Sequence, residues 1–578
     1  MPASSPSAAA ARAMVELFDD YQAGVRETAR RAARHFAERD WVAARADSTD
    51  RLTLYGAKVF EAIARVDALL GAGADEEGWA ATRDAYATEV AGRDDREIAE
   101  TFFSSTSRCR FATIGVHSAI EFHHPWAPLD DAEADAAPTR WCAAGEDGGA
   151  GPLAASLLAG GPEPLAHPRR DAERVARALA TAARGAWGDP RLDGAEVLDT
   201  VFYRNREAYV VGRLRRGERS LPLVVAFRSP ASGIEADAVL TTADEASIVF
   251  GFAWSYLHAD LAHPRASVAF LRRLMPLKRV DELYTAIGYN KHGKTELYRV
   301  LGHHLAQRTT HFAEAEGTKG LVMAVFTLPS LNVVLKVIKD RIDAPKRTTR
   351  REVERQYRRV FLNDRVGRLA DAQLFKGLAF PIDCFPDDLL AELAFVAPSV
   401  VRIEGDMVVV HHVYTERRVR PLNLYLQDAG DEAAVAAILD YGEAIRDLAA
   451  SNIFPGDLLL KNFGVSRHGR VIFYDYDELA TLADCRFRHL PPPRSLDDEM
   501  AAEPWFSVAD HDVFPEEFLR YMIPPGRLRD AFLEAHRDLL DADWWCAMQE
   551  RARTGEVPNT FPYAPSRRLG FETAGDGS

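Results

Sequence analysis

The stretch Phe454-Pro455-Gly456-Asp457-Leu458-Leu459-Leu460-Lys461-Asn462 decides the fold, together with the hairpin pattern that follows it. A helical pattern carrying Leu439, Tyr441, Ile445 and Leu448 leads in. Pro455-Gly456 is expected to stop that helix and leave Asp457 in a loop. Asn462 comes five residues later. Phe463-Gly464-Val465, a turn over Ser466–Arg470 and Val471-Ile472-Phe473-Tyr474 read as a hairpin that delivers Asp475. Transfer of a phosphoryl group from a nucleotide needs one carboxylate to orient the attacking hydroxyl, and a carboxylate and an amide to hold Mg²⁺ on the phosphates. Asp457, Asn462 and Asp475 have the protein-kinase spacing for those roles.

The upstream parts of such a site occur in the expected order. Ala315-Glu316-Gly317-Thr318-Lys319-Gly320-Leu321 places two glycines before an apolar strand pattern, where backbone N–H groups can approach phosphate oxygens. It matches neither the Walker A pattern nor a full GxGxxG. Lys336 lies in Val333-Val334-Leu335-Lys336-Val337-Ile338-Lys339. Strand alternation puts it on one face with Val334 and Ile338, an apolar setting in which an ammonium needs a partner such as polyphosphate. The pattern also departs from an ordinary kinase. Pro455-Gly456 replaces the usual His-Arg before the catalytic Asp, and Asp475-Tyr476-Asp477 replaces Asp-Phe-Gly. Asp477 is therefore a second acid beside the metal position, able to activate water.

Working outward, strand patterns at Leu321–Leu328, Val333–Lys339 and Met407–Tyr414 precede a mainly helical part after Leu422, a two-lobed plan. The predicted fold class is α+β, a bilobal protein-kinase-like domain over 311–578 preceded by a mainly helical regulatory domain over 1–310. The N-lobe is placed at about 311–415 and the C-lobe at about 420–578. Residues 1–12 read as frayed and 13–103 as helical. Ala208–Leu214 and Leu221–Phe227 read as a hairpin. The Gly/Ala/Pro-rich 128–170 stretch reads as a mobile loop or insertion.

Composition bounds the rest. The 578 residues exceed one ordinary domain, and 47% hydrophobic with 27% charged residues is globular. Lys and Arg number 71 against 86 Asp and Glu, a net charge of −15 that speaks against a general nucleic-acid binder. No apolar run approaches the roughly eighteen residues of a membrane span. Met1–Pro6 lacks the basic and apolar regions of a signal peptide. Five scattered cysteines without CxxC fit a reducing cytoplasm and exclude a disulfide scaffold. The adjacent pairs His123-His124, His303-His304 and His411-His412 cannot aim two ligands at one metal. Pro491-Pro492-Pro493 reads as a stiff spacer.

Several long motifs resemble the isocitrate dehydrogenase kinase/phosphatase family. They are 456–465 (Gly-Asp-Leu-Leu-Leu-Lys-Asn-Phe-Gly-Val), 471–478, 335–340, 245–252 and Lys294-Thr295-Glu296-Leu297-Tyr298-Arg299. The resemblance implies a bifunctional bacterial enzyme. It would phosphorylate a serine of NADP-dependent isocitrate dehydrogenase with ATP, inactivating it, and remove the phosphate at the same site. Carbon flux would thereby be divided between the tricarboxylic acid cycle and the glyoxylate bypass. AMP, bound between the two domains, would favour the phosphatase.

By the same resemblance Ala315–Leu321 is the phosphate loop and Lys336 the ATP lysine, with Lys461 also at the nucleotide. Backbone groups of Glu416, Arg417 and Val419 would hold adenine. Asp457 would orient the seryl hydroxyl, Asn462 and Asp475 would bind Mg²⁺, and Asp477 would serve the phosphatase. Asp371 matches the family's active-site acid, although its surroundings read as helical and nothing local singles it out. Lys294, Thr295, Glu296 and Tyr298 are candidates for AMP, and 507–520 for substrate recognition. Glu352 and Glu354 are candidates for a helix-borne partner of Lys336. The expected partners are isocitrate dehydrogenase and nucleotides, without nucleic acid or membrane, a homodimer being left open.

Three other readings compete. An aspartyl-nucleophile phosphatase would use Asp475-x-Asp477, but Leu479 stands where Thr or Val is expected. A nucleotide-binding pseudokinase is disfavoured by the intact Lys336, Asp457, Asn462 and Asp475. An aminoglycoside-kinase-type enzyme shares the Asp…Asn…Asp logic but not the helical N-terminal half.

Overall fold

A computed structural model of the chain describes residues 5–251, 256–307, 310–344, 346, 348–363, 366–492, 495, 506–556 and 561–570. Phe252 of the 245–252 motif and Pro493 lie outside them. The chain divides into two compact units, one of residues 1–251, 255–309 and 562–578, the other of 310–561 with 252–254.

The first unit opens with helices α1 (Pro6–Glu38), α2 (Trp41–Leu70), α3 (Glu76–Val90) and α4 (Arg96–Phe111). α1 begins earlier than the fraying expected over 1–12. Ser5 caps it by accepting from the Ala8 N–H, and Ala10 and Ala11 are buried. Apolar residues three and four apart, Met14, Leu17, Phe18, Tyr21 and Val25, form its buried stripe. The rings of Phe18, Tyr21, Tyr55 and Phe102 pack together where α1, α2 and α4 meet.

The 128–170 stretch is not a loop. It folds as α5 (Asp131–Asp135), β1 (Thr139–Ala143) and α6 (Ala150–Ala159). Leu153, Ala154, Leu157 and Leu158 of α6 are buried with Cys142. Its small residues serve close packing: a Cβ on Gly161 would stand 2.7 Å from the Phe227 ring. β1 is the edge of a five-stranded antiparallel sheet ordered β1-β2-β3-β4-β5, with β2 (Gly194–Arg204), β3 (Glu207–Arg216), β4 (Arg219–Arg228) and β5 (Glu235–Leu240). The hairpin expected over 208–227 is its centre. α7 (Pro168–Trp187) shares a core with α6 and the sheet through Val175, Leu179, Val197, Val210 and Val225. α8 (Ala243–Val249), α9 (Pro264–Leu274), α10 (Val280–Ala286) and α11 (Asn290–Ala306) complete the unit.

The second unit has two lobes. Its first sheet runs β10-β11-β8-β7-β6, with β9 also paired to β11. The strands are β6 (Ala313–Glu314), β7 (Met323–Leu328), β8 (Val333–Ile338), β9 (Ala372–Pro381), β10 (Val401–Glu404) and β11 (Met407–Arg417). α12 (Arg350–Asn363) and α13 (Asp387–Val396) connect them. After β12 (Arg420–Pro421) come α14 (Leu422–Asp428), α15 (Asp431–Ala450) and the hairpin β13 (Phe463–Val465) and β14 (Val471–Phe473). β15 (Arg486–Phe487), β16 (Asp512–Val513), α16 (Phe518–Met522), α17 (Arg527–His536) and α18 (Ala542–Arg553) follow. Tyr441, Ile445 and Leu448 of α15 are fully buried, and Trp545 packs on Phe454 and Phe487.

α15 ends at Ala450, five residues before Pro455. Asn452 turns the chain out of the helix with φ 60°. Gly456, at φ 79°, instead shapes the loop that carries Asp457, where a Cβ would meet the Glu478 carbonyl at 2.4 Å. Among the described residues no helix is long and apolar enough to cross a membrane.

Candidate active site

A cleft of about 240 Å³ opens in the second unit. Its walls come from the 314–325 segment, β8, the end of β11 with the residues after it, Lys346, and the Asp457–Asn462 and Tyr474–Asp477 stretches. All of Ala315, Glu316, Gly317, Thr318, Lys319, Gly320 and Leu321 line it, as do Lys336, Glu416, Arg417, Val419, Asp457, Lys461, Asn462, Asp475 and Asp477. The phosphoryl-transfer residues read from the sequence thus converge on one cavity. Asp371 does not line it. It lies just before β9 and not in a helix, with Ala370 bonded to the Phe473 carbonyl beside β14.

The glycine segment bends as the residue types require. Gly317 adopts φ 110°, a conformation closed to side chains, and bares the backbone toward the cleft. Lys319 reaches outward to Glu314 at 2.9 Å and Glu392 at 2.8 Å, while Glu316 pairs with Arg418 at 3.1 Å.

Lys336 sits on a central strand, Tyr414 being its neighbour on β11. Its Nζ donates to Glu416 Oε2 at 2.7 Å and to the Tyr474 carbonyl at 2.8 Å. Neither expected glutamate is its partner. Glu352 caps its own helix by accepting from the Thr349 N–H, and Glu354 faces His412 at 3.8 Å. The helix contributes Tyr357 instead, whose hydroxyl donates to Glu416 Oε1 at 3.4 Å. Burial raises the Glu416 carboxyl above its usual range, opposed by Lys336 and by the hydrogen bonds it accepts. Truncating Glu416 to alanine would leave Lys336 buried without its ion-pair partner, holding the Tyr474 carbonyl and the faces of Tyr474 and Tyr476. The E416A variant is expected to lose about 2 kcal/mol of stability and to be restored more than wild type by Mg-ATP, whose phosphates re-pair the lysine. Thermal unfolding with and without nucleotide checks this.

Asp457 is half-buried and held in place. Its Oδ1 accepts from the Leu459 N–H at 3.0 Å, and Asn462 Nδ2 donates to its carbonyl at 3.3 Å. One carboxylate oxygen is not engaged by that turn and is available to a hydroxyl. Asn462 is buried, and its carbonyl accepts from the Tyr474 N–H at 3.1 Å, which fixes its loop to the hairpin. Burial raises the Asp475 carboxyl, and the neighbouring Asp477 carboxylate raises it further, against Lys336 and Lys346. Two neighbouring carboxylates and an amide lining the same cleft offer a hard-oxygen donor set, which suits Mg²⁺ with phosphate oxygens and water filling the shell. Asn462 and Asp475 would hold that ion.

Two features escaped the sequence reading. Glu416 is a side-chain partner of Lys336 as well as a candidate backbone contact. Lys346 enters the cleft from the stretch between β8 and α12, with Nζ 2.5 Å from Glu478 Oε1 and 3.4 Å from Asp477 Oδ2. Nothing local distinguishes it from the other basic residues of 339–359.

In the first unit Lys294, Thr295, Glu296 and Tyr298 all lie on α11, but they do not share one environment. Glu296 is buried and pairs with Arg299 at 2.6 Å, while the other three are half-exposed. Glu97, His292 and Glu296 approach one another, yet both carboxylates already hold arginines, Arg265 at 2.5 Å and Arg299. The 507–520 stretch carries β16 and the start of α16 and exposes Val508.

Comparison with known proteins agrees with this layout. Residues 310–565 match the isocitrate dehydrogenase kinase/phosphatase (AceK) kinase domain, and residues 11–309 match the regulatory domain of the same family. A relative from Anaeromyxobacter sp. (strain Fw109-5), named isocitrate dehydrogenase kinase/phosphatase, is 47% identical over 574 residues, 98% of this chain and 99% of its own length. One of the same name from Xanthomonas euvesicatoria pv. vesicatoria (strain 85-10) is 42% identical over 569 residues, 97% of each chain. With both domain patterns matched in order and the identity running nearly end to end, the chain belongs to the isocitrate dehydrogenase kinase/phosphatase family.

Proposed function

We propose that this chain phosphorylates a serine of NADP-dependent isocitrate dehydrogenase with ATP, inactivating it, and removes the phosphate at the same site. The observation that carries the reading is the convergence of Lys336, Asp457, Asn462, Asp475 and Asp477 on one cleft, in a chain whose relatives bear that name. In the forward direction Asp457 orients the seryl hydroxyl and takes its proton as the oxygen attacks the γ-phosphorus. Lys336 fixes the nucleotide phosphates, and backbone groups of the 315–321 segment cover them. Backbone groups of Glu416–Val419 receive adenine, and Lys461 flanks the phosphates. Asn462 and Asp475 would hold a divalent ion, which would supply charge neutralisation on the phosphates. In the reverse direction Asp477 takes a proton from water, a role an ordinary kinase gives to no residue at this position.

The first unit is assigned regulation, with AMP as effector favouring the phosphatase and α11 contributing Lys294, Thr295 and Tyr298. Glu296 then acts through its pair with Arg299. Residues 507–520 are assigned to recognition of the dehydrogenase, and Asp371 to support of the catalytic hairpin it adjoins. The setting is the cytoplasm, at the branch between the tricarboxylic acid cycle and the glyoxylate bypass.

The test is incubation with isocitrate dehydrogenase and radiolabelled ATP, then addition of AMP. Label should enter the dehydrogenase as its activity falls, and AMP should release it. No incorporation would overturn the reading. Asp477→Ala should lower phosphate release about 10²-fold and incorporation less than about 10-fold. Equal losses would remove the separate role of Asp477.

A further inference from the structure

Lys346 lines the cleft and has no task in the chemistry described so far. Lys346 is 19% exposed, and its Nζ bridges Asp477 Oδ2 at 3.4 Å and Glu478 Oε1 at 2.5 Å. It belongs to the stretch between β8 and α12, so its side chain spans from the strand-rich lobe to the loop after β14. Holding a lysine there costs rotamer freedom and part of its hydration, which water would return if the side chain extended outward. The other cleft lysines with partners look elsewhere. Lys336 is taken by Glu416 and the Tyr474 carbonyl, Lys319 by Glu314 and Glu392, and Lys339 by Asp343. Among the described residues, Lys346 is the ammonium paired with the acid assigned to water activation.

We propose that Lys346 is a phosphate-contacting residue of the dephosphorylation reaction: it aims the Asp477 carboxylate at water and donates a hydrogen bond to a non-bridging oxygen of the bound phosphoserine. The inference rests on the kinase/phosphatase reading. Water's oxygen forms the new bond to phosphorus while its proton passes to Asp477. The bond from phosphorus to the seryl Oγ breaks with its electron pair on Oγ, which takes a proton from solvent. The products are serine and inorganic phosphate. All three ammonium donors thus receive a function: one orients Asp477, one is anchored by Glu478 from the exposed side, and the phosphoryl oxygen takes the third. Forward transfer depends on it less, because Lys336 and the metal site already hold the nucleotide phosphates.

The full chain is assayed in both directions with isocitrate dehydrogenase and with its phosphorylated form. K346M is expected to lower the phosphatase kcat at least about 30-fold, with KM for the phosphoprotein changed less than about threefold. Inhibition by inorganic phosphate should weaken at least about fivefold, a change that loss of packing alone does not produce. K346R should recover the rate to within about fivefold of wild type, since it keeps charge and donors. Binding of a fluorescent ATP analogue should stay within about twofold of wild type and reports an intact cleft. Phosphatase activity of K346M within about twofold of wild type, or unchanged phosphate inhibition with no rescue by K346R, overturns the inference while the wider reading stands. A wild-type chain that neither adds nor removes phosphate overturns the wider reading, and the inference with it.

Discussion

Asp457→Ala is expected to abolish phosphorylation of isocitrate dehydrogenase, cutting the rate by about 10³-fold or more, equivalent to about 4 kcal/mol of transition-state stabilisation. The size follows from geometry. Asp457 is set by two hydrogen bonds of its own loop, at 3.0 Å from the Leu459 N–H and 3.3 Å from Asn462 Nδ2 to its carbonyl. The other described acids lining the cleft are engaged elsewhere, Glu314 and Glu392 by Lys319 and Glu316 by Arg418. Asp475 is the proposed metal ligand, Asp477 is held by Lys346, and Glu416 by Lys336. Alanine therefore leaves the seryl hydroxyl without a proton acceptor while the nucleotide contacts persist. ATP binding should change by less than about threefold, so the loss falls on kcat. Steady-state incorporation of label, with a separate titration of nucleotide, makes the measurement. Incorporation at the wild-type rate would remove Asp457 from the mechanism.

The legible part of this site is its linear order. Asp457, Asn462 and Asp475 could be read because a loop and a short hairpin fix their relation locally, whatever surrounds them. The illegible part depends on contacts between distant segments. Glu416 becomes the partner of Lys336 only through the register of β11 on β8, which pairs Tyr414 with Lys336 and Glu416 with Val334. No periodicity in either strand announces that register. Lys346 is hidden for a similar reason: its carboxylates lie more than a hundred residues on.

In the first unit, composition misled. Gly160 and Gly161 suggested looseness, but they are where the Arg140 side chain and the Phe227 ring press on the backbone. A glycine-rich stretch next to an apolar helix such as 150–159 can be the mark of close packing. The end of α15 shows a weaker signal winning over a stronger one. Asn452 takes the left-handed turn before Pro455 is reached, since asparagine tolerates that conformation.

Arg368→Ala is expected to be the most destabilising single change in the kinase unit. The Arg368 side chain is 6% exposed and joins three segments. Its Nη1 and Nη2 donate to Asp440 at 2.8 and 2.9 Å, its Nε to Asp447 at 2.7 Å, and Nη1 also to the Val471 carbonyl at 3.0 Å. Asp440 in turn accepts from the Val471 N–H at 2.6 Å. One guanidinium therefore ties α15 and β14 to the segment before β9, and β14 is the strand that delivers Asp475. Removing it strands two carboxylates and a carbonyl in a low-dielectric site, at a cost of about 3 to 5 kcal/mol. For a unit of this size that lowers the unfolding midpoint by about 6 to 15 °C.

Lysine should recover only part of the loss, because it offers no planar fork to two acids. The pH dependence gives an independent check. Burial alone would raise the Asp440 carboxyl, but the Arg368 charge, its hydrogen bonds and the Val471 N–H hold it below the usual range. Its contribution is thus present above the unfolded carboxylate pKa of about 3.9 and is lost as pH falls through the lower folded value. In R368A that depression disappears, so acid between about pH 4 and 2 should cost the variant less additional stability than it costs wild type. Calorimetry across that range reads both effects, and a variant whose midpoint moves by less than about 2 °C at neutral pH would show the cluster to be dispensable.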